Sequence, residues 1–165
     1  PLNIVIGGAA GAVPPVVGMA AVTNEISLLA VFLFTIVFVW TPPHFWALSL
    51  WAHGDYARAG VPMLPVVSGA RETRRQILIY SLLLAPLGAM PWLIGEAGWP
   101  YGVAAIALGA EFLRRAWLVL RDAQDRAGVS RTGDRPAKRL FGFSILYLFA
   151  LLGALAVDRL LLAGP

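Results

Sequence analysis

Five long apolar segments constrain the fold of this 165-residue chain more than any other feature. A helix needs about 20 mostly apolar residues to cross a bilayer, and each segment comes close to that length. Charged residues make up only 13% of the chain, which is about half the share of a typical soluble domain. The pattern predicts an all-α, polytopic transmembrane helix bundle with spans at about 4–22, 27–51, 76–94, 99–120 and 140–162.

Prolines interrupt three of these segments. A proline inside a helix removes a backbone hydrogen bond, and in lipid the freed carbonyl must find a partner in neighbouring protein. We therefore expect bent helices that pack on one another and leave an apolar cavity between them. The prolines concerned are Pro14, Pro15, Pro42, Pro43, Pro86 and Pro91. Thr23 or Asn24 is expected to cap the start of the second segment.

The basic residues are concentrated in two of the connections. The long connections, at about 52–75 and 121–139, carry ten of the thirteen Lys and Arg residues, whereas the short ones, at 23–26 and 95–98, carry none. By the positive-inside rule the long connections face the cytoplasm. The same clustering argues against a nucleic-acid partner, although the net charge is +4. Arg159 lies near the opposite end, where Asp158 is expected to neutralise it.

The scarcity of cysteine and histidine excludes several kinds of site. There is no cysteine, which rules out disulfides, thiolate catalysis and zinc–thiolate centres. His44 and His53 are the only histidines, so this chain alone cannot build a multi-histidine metal site.

Asp55 and Arg58 follow the second segment and form the most site-like polar pair. A carboxylate there can hold Mg²⁺, which uses one or two carboxylates plus the phosphate oxygens of a substrate. Arginine in turn matches the geometry of phosphate. The alternative is a solvated loop pair, since no second acidic residue stands near Asp55 at a spacing suited to sharing a metal.

His44 lies two turns before the end of the second segment and directly follows Pro43. Three roles are open: a haem-iron ligand, a catalytic base, or a partner for the carbonyls that the prolines leave free. Trp40, Trp46 and Tyr56 lie near the same interface. Aromatic residues there usually anchor a protein in the membrane, but inside a pocket their rings would stabilise a carbocation.

Further along, Arg74 and Arg75 could clamp a diphosphate or carboxylate, or could bind anionic lipid head groups. Glu111 precedes Arg114 and Arg115 by about one helical turn, a spacing that predicts ion pairs within one helix.

Three blocks of the sequence resemble the haem O synthase branch of the UbiA-type intramembrane prenyltransferases. The blocks are NIVIGGAAGA at 3–12, WTPPHFWAL at 40–48 and DYARAGVPMLPVV at 55–67. Members of the family have nine membrane helices and two aspartate-bearing cytoplasmic loops. The resemblance covers essentially the whole chain, which would supply helices five to nine and the second loop. Ala59 stands where the wider superfamily carries a second aspartate, which puts the second metal site in question.

The resemblance implies that farnesyl is transferred from farnesyl diphosphate to a vinyl group of haem b, with Mg²⁺ holding the diphosphate. Asp55 would be the metal ligand and would act in catalysis with His44 and Arg58. The residues expected to bind substrate are Asn3, Trp40, Pro43, Trp46, Tyr56, Arg74 and Arg75. Besides the lipid bilayer, haem A synthase or terminal oxidase assembly proteins are the expected partners. The expected location is the bacterial inner membrane, with the site loops in the cytoplasm.

Two other functions remain open. One is a prenyltransferase of the same fold that acts on a quinone precursor, and the other is a non-catalytic membrane module that binds haem. Because the family's stronger metal motif would lie before residue 1, we expect this chain to be inactive on its own.

Overall fold

The computed structural model describes residues 3–125 and 128–162, with Asn3 and Leu162 described by their backbone only. The described residues form seven helices: α1 (Asn3–Ala12), α2 (Pro14–Thr23), α3 (Leu28–Trp51), α4 (His53–Arg58), α5 (Leu64–Leu93), α6 (Trp99–Leu120) and α7 (Arg135–Leu162). Within this part of the chain, β-structure is limited to one isolated bridge between Gln124 and Ser130. The all-α prediction is confirmed.

Four described stretches are long and apolar enough to cross a membrane, as judged by length and composition. They are Ile4–Thr23, Leu28–Trp51, Leu64–Leu93 and Arg135–Leu161, and they match four of the five predicted spans. Helix α6, the predicted fourth span, is not among them because its second half carries Glu111, Arg114 and Arg115. Residues 99–110 at its start are free of charge.

The first predicted span is broken where the prolines predict it. Helix α1 ends at Ala12 and α2 begins at Pro14.

The predicted cap of α3 is wrong. The cap is Ser27, whose hydroxyl accepts a hydrogen bond of 3.2 Å from the Ala30 N–H. Asn24 instead closes α2 in the left-handed conformation, with φ 57° and ψ 20°, which asparagine tolerates better than most residues.

More of the long connections is helical than the sequence predicts. Helix α5 begins at Leu64, and its backbone is interrupted at Gly69, where φ is 82° and ψ is 161°. That region of backbone space is essentially restricted to glycine. Helix α6 stops at Leu120, and beyond its end Asp122 accepts a hydrogen bond from Thr132.

Helices α3, α5, α6 and α7 form a four-helix bundle, and α1 and α2 lie against α3. The bundle core includes the fully buried side chains Ile36, Leu84, Tyr101, Phe112 and Tyr147. Gly88 allows α5 to approach Tyr147 of α7 closely, since a Cβ on Gly88 would lie 2.6 Å from the Tyr147 hydroxyl. Large apolar side chains point outward elsewhere, such as Phe149, which is 75% exposed. Such a surface suits lipid, because hydrocarbon chains keep the apolar groups out of contact with water.

Charged residues separate to the two ends of the bundle. At one end the α3–α5 and α6–α7 connections meet, and they bring most of the arginines together. At the other end Arg159 pairs with Glu96 at 2.8 Å. The predicted neutralisation of Arg159 by Asp158 is therefore wrong. Asp158 instead accepts a hydrogen bond of 2.6 Å from the Gly98 N–H, which caps the start of α6.

Candidate functional site

Helix α4 carries the predicted metal ligand at the basic end of the bundle. It is a short helix directly after α3, and a glycine at position 60 with φ 66° follows its end. Asp55 and Arg58 form an ion pair across one turn of this helix, and their side chains are 73% and 81% exposed. An exposed pair of this kind contributes only about 0–1 kcal/mol. Either partner can therefore exchange the other for a ligand at little cost.

Asp55 is the one carboxylate on α4. Among residues 3–125 and 128–162, no group of three histidine or acidic side chains is placed to hold a metal ion. A single carboxylate still suits Mg²⁺, because that ion keeps several waters and is often completed by substrate phosphates. A Mg²⁺ ion on Asp55 would therefore take most of its ligands from water and phosphate.

Arg74 is a buried link between α5 and the α6–α7 connection. Its guanidinium donates to Asp134 Oδ1 at 2.8 Å and to the Gly128 carbonyl at 3.0 Å, and it lies 3.7 Å from Asp122 Oδ2. The Arg74 side chain is only 2% exposed, so these contacts occupy its charge inside the protein. The structure therefore places the Arg74 charge in an internal network and not on the surface that carries the Asp55–Arg58 pair.

Arg75 differs from Arg74 in exposure and in partners. Its side chain is 70% exposed and lies 3.8 Å from Glu72 in the same helix. It remains free to meet a ligand, but no described contact ties it to Asp55. Tyr56, on α4, is half-buried.

His44 lies between two aromatic rings in the interior of the bundle. The ring centroid of Trp40 is 4.3 Å away and that of Phe141 is 4.7 Å away, and both rings are stacked on the imidazole. Its Nδ1 lies 2.7 Å from the Ser144 hydroxyl, and Trp40 Nε1 donates to the Ser144 carbonyl at 2.8 Å. The polar partner of His44 is therefore Ser144 of α7, in place of the carbonyls that the prolines leave free.

Trp46 lines a cavity of about 250 Å³ between α1, α3 and α5. Its indole packs edge-on against Tyr80 at 5.1 Å, and its buried N–H has no hydrogen-bond partner among the described atoms. Glu72 and Gln76 line the same cavity and are joined by a hydrogen bond of 2.7 Å. A buried donor without a partner is costly, and no described atom offsets this cost at Trp46.

A second cavity, an apolar groove of about 410 Å³, runs between α1 and α3 and is lined by Trp40 and the glycines of α1. Gly8 is one of these glycines, and a Cβ there would lie 3.0 Å from Thr41. Pro43 is buried on the same helix as Trp40. Asn3 begins α1, but its side chain lies outside the described residues.

The predicted residues thus fall into separate groups. Asp55 and Arg58 lie on the surface of one end, Trp40 and His44 form an aromatic stack, and Trp46 lines its own cavity. Several residues were absent from the sequence-based candidates: Phe141, Ser144, Gln76 and Tyr80. Ser144 had a usable signal, because it is the only hydroxyl-bearing residue in the otherwise apolar run 140–146.

Comparison with known proteins agrees with this architecture. The model of the UbiA prenyltransferase family matches residues 1–141. The chain therefore belongs to the UbiA prenyltransferase family. Together with its long apolar helices, this membership makes it an integral membrane protein.

Individual relatives within the UbiA family are similar along nearly the whole chain. A protein named protoheme IX farnesyltransferase from Granulibacter bethesdensis is 58% identical over 159 residues, 96% of this chain and 50% of that relative. Relatives of the same name from Acidiphilium cryptum and Gluconacetobacter diazotrophicus are 58% and 56% identical over 97% and 98% of the chain. The chain spans about half the length of these curated relatives. No solved structure matches the chain.

Proposed function

We propose that this chain forms part of an enzyme that transfers a farnesyl group from farnesyl diphosphate to a vinyl group of haem b. The observation that carries the proposal is the 56–58% identity, along almost the entire chain, to relatives named protoheme IX farnesyltransferase. Within such an enzyme the chain would supply the C-terminal membrane helices. The basic end of the bundle would face the cytoplasm of a bacterium and receive both charged substrates.

The Asp55–Arg58 pair suits the diphosphate end of the donor. Mg²⁺ held by Asp55 would bridge diphosphate oxygens and neutralise the charge that develops on the leaving group. Arg58, released from Asp55, would then donate to the same oxygens. The exchange is inexpensive because the resting pair is almost fully solvated.

The groove between α1 and the bundle suits the rest of the reaction. Loss of diphosphate leaves an allylic cation, which the vinyl group attacks, and water then adds to give a hydroxyethylfarnesyl product with release of a proton. The groove between α1 and α3 is apolar and lies in the size range of small-ligand pockets, about 300–1,000 Å³. Trp40 lines this groove, so its ring could face the cation. His44 would hold Trp40 in place, because the two rings are stacked.

Acceptor specificity tests the proposal. The complete natural protein that contains this chain should convert farnesyl diphosphate and haem b into a farnesylated haem, detected by chromatography and mass spectrometry. A parallel reaction with 4-hydroxybenzoate, a quinone precursor, should give no product. Turnover of the benzoate alone would show the proposed acceptor to be wrong. Haem binding without turnover of either acceptor would favour a non-catalytic module.

The chain by itself gives a second test. Expressed as residues 1–165, it should give no turnover, because the chain spans about half the length of its relatives and the other half would supply the family's stronger metal motif to a shared metal site. Full activity of the isolated chain would refute the shared metal site. The complete protein, purified in the same detergent, is the control.

A further inference from the structure

A cavity of about 570 Å³ lies between the end of α6 and the start of α7. Four arginines line it: Arg114, Arg115, Arg121 and Arg139. None of these residues belongs to the candidate site described above. From this pocket we infer a binding site for the phosphate of an anionic membrane lipid.

Two of the arginines are held in fixed positions. Glu111 accepts hydrogen bonds from Arg114 at 2.6 and 2.8 Å and from Arg115 at 2.6 Å, as the sequence predicts. Arg115 also lies 4.6 Å from the centre of the Phe143 ring and donates to the Arg139 carbonyl at 3.2 Å. Less rotamer entropy is therefore lost when these side chains bind a ligand.

The other two arginines supply uncompensated charge. Among the described residues, no ion pair is found for Arg121 or Arg139. The one carboxylate in the lining, Asp122, is buried and already accepts from Thr132 at 2.7 Å, with Arg74 at 3.7 Å. The pocket is consequently cationic, and arginine forks match phosphate oxygens well.

The position of the pocket selects a lipid as the source of that phosphate. Leu118 lines it and is 44% exposed, and its neighbour Trp117 is 47% exposed beneath Arg121. Exposed tryptophan and arginine together are typical of the membrane–water interface. Two helical turns above Arg139, on the same face of α7, Leu146 is 58% exposed and offers a surface for an acyl chain. Basic pockets between membrane helices are known to hold lipid head groups.

The pocket is separate from the proposed catalytic region. Arg139 and Phe141 lie on opposite sides of α7, since two residues turn the helix by about 200°. Phe141 stacks on His44, whereas Arg139 faces α6. A change in the pocket can therefore be tested without touching the aromatic stack.

Native mass spectrometry of the complete natural protein, titrated with phosphatidylglycerol or phosphatidylcholine, tests the site. We expect one phosphatidylglycerol molecule to bind saturably to each protein, and phosphatidylcholine to bind with lower affinity. The double variant Arg121→Gln/Arg139→Gln should bind phosphatidylglycerol about 30-fold more weakly, which corresponds to about 2 kcal/mol. Equal affinity for the two lipids, or no bound lipid at all, would overturn the inference.

The control variant is Arg131→Gln/Lys138→Gln, which removes the same charge at the same end of the bundle. Arg131 is exposed and Lys138 lies over the Trp51 ring of α3, so neither lines the pocket. Its lipid affinity should fall by less than about threefold, as for screened surface charges. If both double variants weaken equally, the binding is diffuse and no site exists.

Inorganic phosphate separates a lipid site from a free-anion site. Excess inorganic phosphate should leave the bound phosphatidylglycerol in place. Displacement of the lipid by phosphate would overturn the lipid assignment. Size-exclusion chromatography checks folding. If the pocket double variant does not fold, the single variants Arg121→Gln and Arg139→Gln should each weaken binding about fivefold, and unchanged affinity in both would overturn the inference.

Discussion

Replacing Arg74 with glutamine should destabilise the protein strongly, because its charge lies inside the fold. The substitution removes the 2.8 Å bond to Asp134 and the 3.0 Å bond to the Gly128 carbonyl. It also leaves Asp122, whose side chain is 2% exposed, without its neighbouring cation. Breaking a buried ion pair from one side costs about 3–5 kcal/mol. We expect a loss of that size in the free energy of unfolding.

Denaturation of the protein in mixed detergent and sodium dodecyl sulfate, followed by circular dichroism, measures the loss. Hydrogen exchange adds a local readout, since the connection 121–134 should exchange faster once its link to α5 is gone. Arg75→Gln is the matched control. It removes the same charge from the neighbouring residue, whose side chain is exposed. It should change stability by less than about 0.5 kcal/mol.

A double-mutant cycle assigns the effect to the ion pair. Arg74→Gln and Asp134→Asn should show a coupling free energy of about 1–3 kcal/mol, as expected for groups in direct contact. The reasoning is refuted if Arg74→Gln unfolds like the wild type and raises only the KM for farnesyl diphosphate. That pair of results would return Arg74 to the substrate-binding role that the sequence suggested.

Three further substitutions test other contacts. Ser144→Ala leaves His44 Nδ1 without its 2.7 Å partner and should cost about 1–3 kcal/mol of unfolding free energy; an unchanged denaturation midpoint would show the contact to be unimportant. Gly102→Ala would place a Cβ 2.5 Å from the Trp92 ring, so we expect about 1–3 kcal/mol of destabilisation from overpacking, and wild-type stability would contradict that geometry. Asp55→Asn should raise the Mg²⁺ concentration needed for half-maximal farnesyl transfer while leaving thermal stability intact, whereas an unchanged Mg²⁺ dependence would remove Asp55 from the metal site.

Apolar length predicted most of the fold, and proline position predicted one break. The spans appear where long apolar runs occur, and the break before Pro14 appears where the proline predicts it. The start of α5 was missed because Gly69 and the arginines after it look like a loop in sequence. The long-range contacts of this stretch are made by Arg74, whose partners stand 54 and 60 residues later, beyond the reach of any local pattern.

The candidate site was harder to predict than the fold. The charge pair of α4 follows from local sequence, since Asp55 and Arg58 are one helical turn apart. The setting of His44 does not, because Phe141 and Ser144 come from a helix about 100 residues away. A histidine next to a proline indicates a special position in the sequence, but only the packing of α3 on α7 shows what the imidazole contacts.

The break at Gly69 has a consequence for how the protein fits a bilayer of given thickness. Unbroken, the thirty residues of α5 would measure about 45 Å, well over the roughly 30 Å of hydrocarbon in a membrane. The interruption leaves residues 70–93 as a continuous rod of about 36 Å, a length that modest tilting accommodates. Residues 64–68 precede the break, and Leu64 among them is anchored in the hydrophobic core. A side chain at position 69 would be strained in this backbone conformation, so a substitution there would disturb the break at the end of the bundle that carries Asp55.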